Sequence, residues 1–506
     1  MPNATYVLEC DFNNDGDYLD TGEDLTPYLR AVEYRRGRDY ASQLTGRCLG
    51  GELLATLNNT GNRFSSLLTT GPLYGNILPG RRVRLRSTAP TAANLWSGFL
   101  DTVEPLPDLG GAHRCQLRAV GALAYLNQWK VQVAMQTSIL TGDAFDAVLD
   151  EAVWPAADRD VDDGKTTMTR WWADEAYTLG VLREIEEAEN GFLWEGTNFK
   201  VVFHDRHVRM LAPYQASAAT WTDAAGGTLK YGLPHGQRDP NREIFNIFEI
   251  EVTVYTVNSL AVLWTYPETG ASSPTLAPGE AKEFWANYPN PGDPTDAIGV
   301  NAWTTTTATT DVTANTASDG SGTDLTTSLT IAVSKLAKAM KITLTNTDAT
   351  RLIYLTLLQA RGTAVIASDP ATFQKVDSTS KTRYGPRTYP PRTRFVPNAN
   401  EAISRNDWVA SIYAVPQPII YCTLAGNRSA AQLTEILSRD IVDRVTIVAT
   451  GNSGLGVNED FFVESLYGRI DSDLRHDVTY ECSRASMFGA FFVLDTSVLD
   501  TGKLAY

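Results

Sequence analysis

The first 130 residues of the chain consist of short segments in which apolar and polar residues alternate. In "RRVRLRS", for example, Val83 and Leu85 alternate with arginines, which is typical of a strand that is buried on one face and wet on the other. Segments rich in Gly, Asn and Pro, such as "NNTGN" and "LPG", separate these strands and favour turns. The pattern predicts an antiparallel β-barrel or β-sandwich over residues 1–130.

The composition is that of a globular protein with more than one hydrophobic core. The chain has 506 residues, of which 43% are hydrophobic and 10% aromatic, and this length predicts several domains. Its net charge of −16 argues against a protein that clamps nucleic acid, because such a protein needs a basic surface to neutralise phosphates. The charge is compatible with a soluble surface, or with a channel that must not bind passing DNA.

The cysteines and the N-terminal residues indicate a protein made in a cytosol. The five cysteines are scattered, odd in number and without a C-x-x-C pair, so we expect reduced, mostly buried thiols rather than a zinc ribbon or a disulfide framework. The opening segment "MPNATYVLEC" has neither the basic nor the apolar region of a signal peptide. The sequence contains no run of about 18 apolar residues, so we expect no membrane-spanning helix.

Residues 131–240 are expected to form a small α+β domain. "TGDAFDAVLDEAV" predicts a helix capped by Thr141, and a second helix is predicted over roughly residues 169–189, ending at Asn190-Gly191. "GFLWEGTNFKVVFHDR" then predicts a hairpin with a turn at "GTN". The carboxylates of the second helix are expected on its solvated face rather than in a catalytic pair; they are Glu184, Glu186, Glu187 and Glu189.

Residues 241–368 are rich in Thr, Ser and Ala and are expected to form an inserted β-sandwich. Thr suits strands, so the segment "TTTTATTDVTANTASDGSGTDLTT" is interpreted as exposed β edges or a long loop. Trp264, Trp285 and Trp303 are candidate glycan contacts, because sugars stack on exposed aromatic rings. If the rings are buried, they belong to the core of the sandwich instead.

Residues 369–506 are expected to form a second β-barrel with one packed helix. The region opens with the basic and Pro-rich segment "TRYGPRTYPPRTRF", which should be extended. "VASIYAVPQPIIYCTLAG" predicts strands, and "SAAQLTEILSRDIVDRVTIVA" predicts a helix that buries Leu433, Ile436, Leu437 and Ile441. The predicted fold is therefore mainly β, with two tube-like β-barrel domains bracketing an α+β domain and an inserted β-sandwich.

The segment "DFNNDGDYLDTGEDL" is similar to a calcium-binding loop, with Asp11, Asn13, Asp15 and Asp20 closely spaced. The twelfth position counted from Asp11 is Gly22, where such a loop needs a bidentate carboxylate, and no helix pattern flanks the segment. A structural turn is the favoured interpretation, and these four residues are the candidate metal site. Elsewhere "HDRHVR" and "GNSGLG" complete neither a zinc site nor a nucleophile elbow, so we expect neither a cofactor nor enzymatic activity.

Arginines are clustered in three parts of the chain. The clusters are Arg35, Arg36 and Arg38; Arg81, Arg82, Arg84 and Arg86; and Arg383, Arg387, Arg392 and Arg394. Guanidinium groups bind carboxylates in a bidentate manner, which suits contacts between subunits. On a chain of net charge −16, acidic protein surfaces are the favoured partners of these arginines, a solvated face is the alternative, and nucleic acid is the least favoured.

Several spaced motifs of the N-terminal region resemble the minor tail proteins of long-tailed bacteriophages and prophages. The motifs are "EDLT" at residues 23–26, "RRGRD" at 35–39, "LNNTGNRF" at 57–64 and "PGRRVRL" at 79–85. The third motif departs slightly from the N-x-D-G-R-F pattern of the family. A weaker likeness to phage tail hub proteins continues through "FLWEGTNFKVVFHDR" and "FFVESLYGRIDSDLRHDVTYECS", whereas the Thr-rich sandwich is not well matched.

This resemblance implies a structural hub at the tip of a phage tail, located in the virion and assembled in the host cytoplasm. It implies self-association into a ring, as a homotrimer in which two barrels per chain match a hexameric tail tube. The tail tube or distal tail protein would lie on one side and tip or fibre proteins on the other, and DNA would pass through without specific binding. The alternative is a receptor- or carbohydrate-binding tail adhesin that acts through the sandwich of residues 241–368.

Overall fold

The computed structural model describes residues 2–38, 48–238, 244–267, 272–289, 297–389, 395–396, 398–452 and 454–488. Strands are the main elements of these residues, so the predicted mainly-β class is confirmed. None of the described helices combines the length and the apolar composition needed to cross a membrane. All five cysteines lie within the described residues, and their free thiols are buried.

The N-terminal region contains six strands and one short helix. They are β1 (Thr5–Cys10), β2 (Leu29–Gly37), β3 (Glu52–Asn58), β4 (Arg82–Ala89), β5 (Ala93–Leu106), β6 (Arg114–Val120) and α1 (Ala122–Leu126). The strands are antiparallel and lie in the order β1-β4-β5-β6-β3-β2. Val83 and Leu85 of β4 are buried while the arginines between them are half-buried, so the predicted one-sided strand is confirmed.

The next region combines a two-stranded sheet, a three-stranded sheet and two helices. The elements are β7 (Lys130–Leu140), α2 (Thr141–Glu151), β8 (Arg159–Val161), β9 (Thr167–Tyr177), α3 (Thr178–Glu189), β10 (Phe192–Glu195) and β11 (Val201–His204). β7 pairs with β9, β10 and β11 form the predicted hairpin, and β8 lies parallel to β11. Helix α3 ends at Asn190 in the left-handed conformation (φ 55°, ψ 32°), as the sequence predicts.

The predicted second helix is wrong in its first half, because residues 169–177 belong to strand β9. Trp171 and Trp172 are both buried, although neighbouring residues of a strand point to opposite faces, so β9 is covered on both sides. Burial on both faces removes the alternation that identifies a strand in a sequence. Thr141 does not cap α2 either, since its hydroxyl donates to Oε2 of Glu189 at 2.8 Å.

The Thr-rich region forms two sheets that enclose a core of their own. Three strands precede these two sheets in the chain and belong to other sheets; they are β12 (Thr220–Thr222), β13 (Gly232–Arg238) and β14 (Ile247–Val252). The strands of the two sheets are β15 (Tyr255–Val257), β16 (Ala261–Tyr266), β17 (Thr275–Leu276), β18 (Ala281–Asn287), β19 (Ala297–Trp303), β20 (Val312–Asn315), β21 (Leu329–Lys335), β22 (Ala339–Asn346) and β23 (Ile353–Ala367). The long strand β23 pairs with β15, β16, β17, β19 and β20, while β18, β22 and β21 form the second sheet. Leu276, Val312 and Leu355 of the first sheet are buried against Ile342 and Leu344 of the second. Two sheets around a shared core are the arrangement of a β-sandwich, whereas β14, within the predicted bounds 241–368, belongs to a separate sheet. The bounds of the inserted domain stay a prediction.

The C-terminal region adds six strands and three helices. They are β24 (Ala371–Val376), α4 (Ser378–Tyr384), β25 (Thr388–Tyr389), α5 (Ala399–Tyr413), β26 (Ile419–Ala425), α6 (Ala430–Ser438), β27 (Arg444–Ala449), β28 (Val457–Ile470) and β29 (His476–Arg484). β24 and β25 lie on either side of β14. Helix α6 buries Leu433, Ile436 and Leu437 as predicted, and the hydroxyl of Ser429 caps it by accepting the N–H of Gln432 at 3.1 Å. The prediction is wrong in the second half of the segment, because the helix ends at Ser438, buried Ile441 lies beyond it, and residues 444–449 form β27.

Helices α4 and α5 occupy segments for which the sequence predicts extended chain. Residues 382–384 of the basic segment lie in α4, and residues 409–413, predicted as strand, lie in α5. Both helices begin at a side-chain cap, since Asp377 accepts the N–H of Ser380 at 2.7 Å and Asn398 accepts the N–H of Glu401 at 3.0 Å. Both caps precede the segments that the sequence predicts as extended, so a prediction made from those segments alone does not include the start of either helix. Arg392 and Arg394 lie outside the described residues.

Strand β28 joins the N-terminal strands to the C-terminal strands. Residues 457–462 of β28 pair with β27, residues 465–470 pair with β2, and β29 pairs along its other side. The result is one 12-stranded sheet whose main path runs from β1 through β2 and β28 to β13. A single hydrophobic core contains residues from both halves of this sheet.

The joined sheet differs from the two separate barrels that the sequence predicts, because no sheet in the described part of the chain closes into a barrel. Strand β2 pairs with β3 on one side and with β28 on the other, whereas a closed N-terminal barrel would need β1 in the place of β28. The outer edge of β1 is bonded to the chain that precedes β2: the N–H of Leu25 donates to the carbonyl of Leu8 at 2.8 Å, and the N–H of Cys10 donates to the carbonyl of Glu23 at 2.9 Å. That edge is therefore not open to β2.

Candidate functional site

The first arginine cluster lies at β2, and its members differ in exposure. Arg36 is buried, with Nη1 donating to the carbonyl of Glu195 at 3.1 Å and Nη2 lying 2.7 Å from Oδ1 of Asp440. The side chain of Arg35 is 56% exposed and its Nη2 lies 2.8 Å from Oε2 of Glu52 on the neighbouring strand. Arg36 therefore stabilises the chain internally, while Arg35 lies where another chain could reach it.

The second cluster stabilises the contact between β1 and β4. Nε of Arg84 lies 2.5 Å from Oε2 of Glu9, and Nη2 of Arg86 lies 2.8 Å from Oε1 of the same carboxylate. Burial would raise the pKa of Glu9, but the hydrogen bonds from Arg86 and Arg84 outweigh burial and lower the pKa below its usual value. Arg82 forms an ion pair with Asp158, with Nη2 and Oδ2 at 2.5 Å.

The third cluster belongs to α4 and the segment after it. Arg383 is exposed, and its guanidinium lies 5.2 Å from the ring centroid of Tyr384. Arg387 is half-buried, and its backbone N–H donates to Oδ1 of Asn246 at 2.9 Å. Interface roles for the clustered arginines stay predictions, and Arg35 and Arg383 are the exposed candidates among the described members.

A buried charged cluster lies where β28 meets β2. Oε2 of Glu464 accepts Nη2 of Arg209 at 2.9 Å, and Oε1 accepts the hydroxyl of Ser483 at 2.5 Å. Arg38 follows β2 directly, and its Nε lies 3.7 Å from Oε2 of Glu464. Burial alone would raise the pKa of Glu464, but Arg209 and Arg38 reverse this effect and lower the pKa to about 2. The cluster holds the two halves of the sheet together with ionised side chains.

Sequence reasoning missed this cluster because its members are distant in the chain. Arg209 and Glu464 are 255 residues apart, so no local spacing could connect them. A single carboxylate in the apolar segment "FFVESLY" is the signal that could have been noticed, since a buried carboxylate needs a partner.

Two carboxylates of α3 are buried, which corrects the expectation of a solvated acidic face. Glu189 accepts the N–H of Thr166 at 2.8 Å and lies 3.3 Å from Nη1 of Arg206. Glu186 is buried with its Oε2 at 2.8 Å from Nη1 of Arg183. Neighbouring strands and connections cover this side of the helix, so both carboxylates bind groups of the fold instead of water.

The candidate calcium loop is a set of turns closed by its own side chains. The carboxylate of buried Asp11 accepts the backbone N–H groups of Asn14 at 2.5 Å and Gly16 at 3.1 Å. The side-chain amide of Asn13 donates to the carboxylates of Asp15 and Asp20. Within the described residues, no group of three or more His, Cys, Asp or Glu side chains is arranged to hold a metal ion. The geometry gives these residues a turn-forming role.

The three candidate tryptophans of the sandwich have different surroundings. Trp303 is buried, and its Nε1 donates to the carbonyl of Leu336 at 2.7 Å, so it belongs to the core. Trp264 is half-buried and stacks on Tyr266, with ring centroids 5.8 Å apart and an interplanar angle of 9°. Trp285 is 48% exposed and is the member of this set that a ligand could reach. A glycan contact stays a prediction.

Comparisons with known proteins identify the fold. No family model matches the chain, and no curated protein matches it. The tail protein from Neisseria meningitidis MC58 has a TM-score of 0.52 and 7% sequence identity, with 96% of this chain and 98% of that chain covered. The 43 kDa tail protein of prophage MuSo2 from Shewanella oneidensis has a TM-score of 0.50 and 12% identity, with 96% and 99% covered. The resemblance to phage tail proteins is therefore confirmed at the level of the fold, which this chain shares with them along nearly its whole length.

Proposed function

We propose that the chain is a structural, non-enzymatic component of a phage tail tip: a ring-forming hub that surrounds the DNA channel. The observation that carries this proposal is the single sheet in which the N-terminal and C-terminal halves are joined through β2 and β28. The fold shared with two tail proteins along nearly the whole chain supports it. The buried carboxylates also agree with a structural role, because they bind arginines of the fold itself.

A homotrimer is the assembly that this sheet favours. Each chain holds two sheet halves side by side, so three chains would place six halves around one axis and match a hexameric tail tube. Arg35 and Arg383 are candidates for contacts between neighbouring chains, because exposed guanidinium groups bind carboxylates of a facing surface. With a net charge of −16, acidic channel walls would repel phosphates and let DNA pass without specific binding.

The proposed position is in the virion tail, after assembly in the host cytoplasm. The tail tube or distal tail protein would lie on one side of the ring, and tip or fibre proteins would lie on the other. In this proposal residues 1–130 and 369–506 are the hub domains, and the α+β domain (131–240) and the sandwich (241–368) lie between them in the chain.

Native mass spectrometry of the purified chain is expected to give about three times the mass of one chain. Negative-stain images should contain rings with a central channel. Arg35→Glu combined with Arg383→Glu should shift the mass towards the monomer, because the new carboxylates repel acidic groups of the neighbour. Arg475→Glu is the matched control, since that side chain is 60% exposed and lies outside the candidate set. A lone chain at high concentration, and also in its native particle, would contradict the ring.

The exposed ring of Trp285 supports a second candidate function, a carbohydrate-binding adhesin surface on the sandwich. The ring is 48% exposed, and Nζ of Lys341 lies 6.0 Å from its centroid. Glu283, on the same strand, accepts Nζ of Lys341 at 3.1 Å. A stacking platform beside charged groups that can bind hydroxyls is the chemistry that a glycan requires.

Trp285→Ala is expected to weaken binding of host cell-wall polysaccharide by about tenfold or more, because the stacking surface is lost. Titration calorimetry with purified polysaccharide measures the change. Tyr467→Ala is the control, since Tyr467 is an exposed aromatic residue of β28. Equal loss in both variants, or binding that neither variant changes, would remove the adhesin function.

A further inference from the structure

Three connections of the N-terminal sheet meet at one end of that sheet. The end of β1 pairs with the start of β4, and the end of β3 pairs with the starts of β2 and β6. β5 runs past the start of β4 before it turns into β6. The connecting segments 11–28, 59–81 and 107–113 therefore share one end, which we call the loop end.

Each of the three segments presents a leucine to solvent. Leu19 and Leu67 are each 88% exposed, and Leu109 is fully exposed. The second segment also exposes Tyr74 and Leu78. Single exposed leucines are common on protein surfaces, but exposed leucines on three segments that meet at one end make this end a candidate docking surface.

These leucines are carried by ordered turns. Phe64 and Leu73 are buried and anchor the second segment to the core. The N–H of Leu19 donates to Oδ1 of Asp17 at 2.8 Å, and Oδ1 of Asp108 accepts the N–H of Gly110, one residue after Leu109, at 3.0 Å. Turns that are ordered before binding lose less entropy when a partner covers them.

The charged groups of the loop end are mainly acidic. The exposed carboxylates are Asp15, Asp17, Asp20, Asp24 and Asp108. Arg63, in the second segment, is half-buried, with its guanidinium 5.1 Å from the ring centroid of Tyr28. An acidic rim repels anionic lipid and DNA phosphates, and it also repels the loop end of a second copy. It complements a protein surface in which lysine or arginine surrounds apolar pockets.

We propose that the loop end docks onto a second protein, distinct from this chain. The partner surface offers apolar pockets to Leu19, Leu67 and Leu109 and lysine or arginine side chains to the surrounding aspartates. This inference goes beyond ring formation, because it concerns one end of the N-terminal sheet and not the contacts between copies of the chain.

A photo-crosslinking amino acid, p-benzoylphenylalanine, in place of Leu19, Leu67 or Leu109 tests the proposal in the full chain expressed from its native genetic setting. All three positions are expected to become joined to one and the same second protein, through peptides that contain lysine or arginine. The probe at Leu233, which is 81% exposed on β13, is the matched control and should not form this adduct. Adducts with another copy of the chain, with phospholipid or with unrelated proteins would overturn the proposal, and so would the absence of adducts.

Binding of the crosslinked partner by purified variants gives the second measurement. Leu67→Ser combined with Leu109→Ser should weaken binding about a hundredfold, since two buried leucines are lost, whereas Leu233→Ser should not change it. Asp17→Asn combined with Asp108→Asn keeps the oxygens that close the turns and removes two charges, so the salt dependence of binding should decrease. Melting temperature and native mass should be unchanged in these variants, which distinguishes a docking defect from unfolding or from loss of the ring. Equal affinity of the wild type and the double serine variant would overturn the proposal.

Discussion

Replacement of Glu464 by glutamine is expected to lower the free energy of unfolding by about 3–5 kcal/mol. Glu464 is the counter-charge of Arg209, whose side chain is 1% exposed, and it also lies beside Arg38, whose side chain is 8% exposed. Glutamine has nearly the same shape but no charge, so both buried guanidinium groups would lose this counter-charge. Urea unfolding followed by tryptophan fluorescence measures the loss.

The exposed ion pair between Glu33 and Arg469 provides the matched control. It joins β2 to β28, with Oε1 and Nε at 3.6 Å, but its side chains are 38% and 61% exposed. Glu33→Gln should therefore change the free energy of unfolding by less than about 1 kcal/mol. Arg209→Met in the background of Glu464→Gln should recover part of the loss, because it removes a buried charge. A loss below about 1 kcal/mol for Glu464→Gln alone would contradict the prediction.

The same cluster predicts sensitivity to strong acid. The pKa of Glu464 in the folded chain is about 2, below its ordinary value of 4.5, so the native state binds a proton less readily than the unfolded chain. Its stabilisation is complete above about pH 4.5 and is lost as the pH falls towards 2. The difference in unfolding free energy between wild type and Glu464→Gln should decrease over that range.

Replacement of His476 by phenylalanine is the second change with a large expected effect. The buried ring of His476 connects three strands: its Nδ1 lies 2.8 Å from the hydroxyl of Tyr6 on β1, and its Nε2 lies 2.8 Å from the hydroxyl of Tyr34 on β2. In the neutral ring one nitrogen donates and the other accepts, so each hydroxyl has a partner. Phenylalanine would leave both hydroxyls buried without a partner, at roughly 1–3 kcal/mol each, so we expect the free energy of unfolding to fall by about 2–6 kcal/mol.

The triple variant His476→Phe, Tyr6→Phe, Tyr34→Phe separates the hydrogen bonds from packing. It removes both hydroxyls together with their partner, so it should be more stable than His476→Phe alone. His235→Phe is the control, since His235 is half-buried and bonded to the carbonyl of Gly232 within its own strand. If the triple variant is no more stable than the single one, the unpartnered hydroxyls are not the cause.

His476 also predicts a pH dependence near neutrality. Burial lowers its pKa from the ordinary 6.5 to about 3, so the unfolded chain takes up a proton that the native chain does not. The contribution of His476 to the free energy of unfolding is complete above about pH 6.5. Below that pH it decreases by up to about 1.4 kcal/mol per pH unit. Burial raises the pKa of Glu195 to about 7, so this group changes the unfolding free energy with pH in the opposite direction. The wild type and the His476→Phe variant share this effect, so it cancels in their difference. The wild-type unfolding free energy minus that of His476→Phe should therefore decrease between pH 6.5 and 5.

Local patterns predicted the elements whose causes are local. The alternation around Val83 and Leu85 identified β4, and the preference of Asn190 for the left-handed conformation identified the end of α3. The same reasoning failed for β9, where burial of Trp171 and Trp172 on opposite faces removes the alternation. Residue type alone selected Trp264, Trp285 and Trp303 as one set, but only packing separates a core ring from an exposed one.

The amino-acid sequence by itself determined the strand-rich class, the positions of many turns and the acidic character of the surface. These properties depend on neighbouring residues or on total composition, so they can be read without knowing which strands meet. Only the tertiary structure decided that β2 pairs with β28, that Glu464 meets Arg209, and that three exposed leucines share one end. The physical reason is that an alternating strand has the same pattern whichever strand lies beside it, and a buried charge selects its partner by proximity in space rather than in the chain.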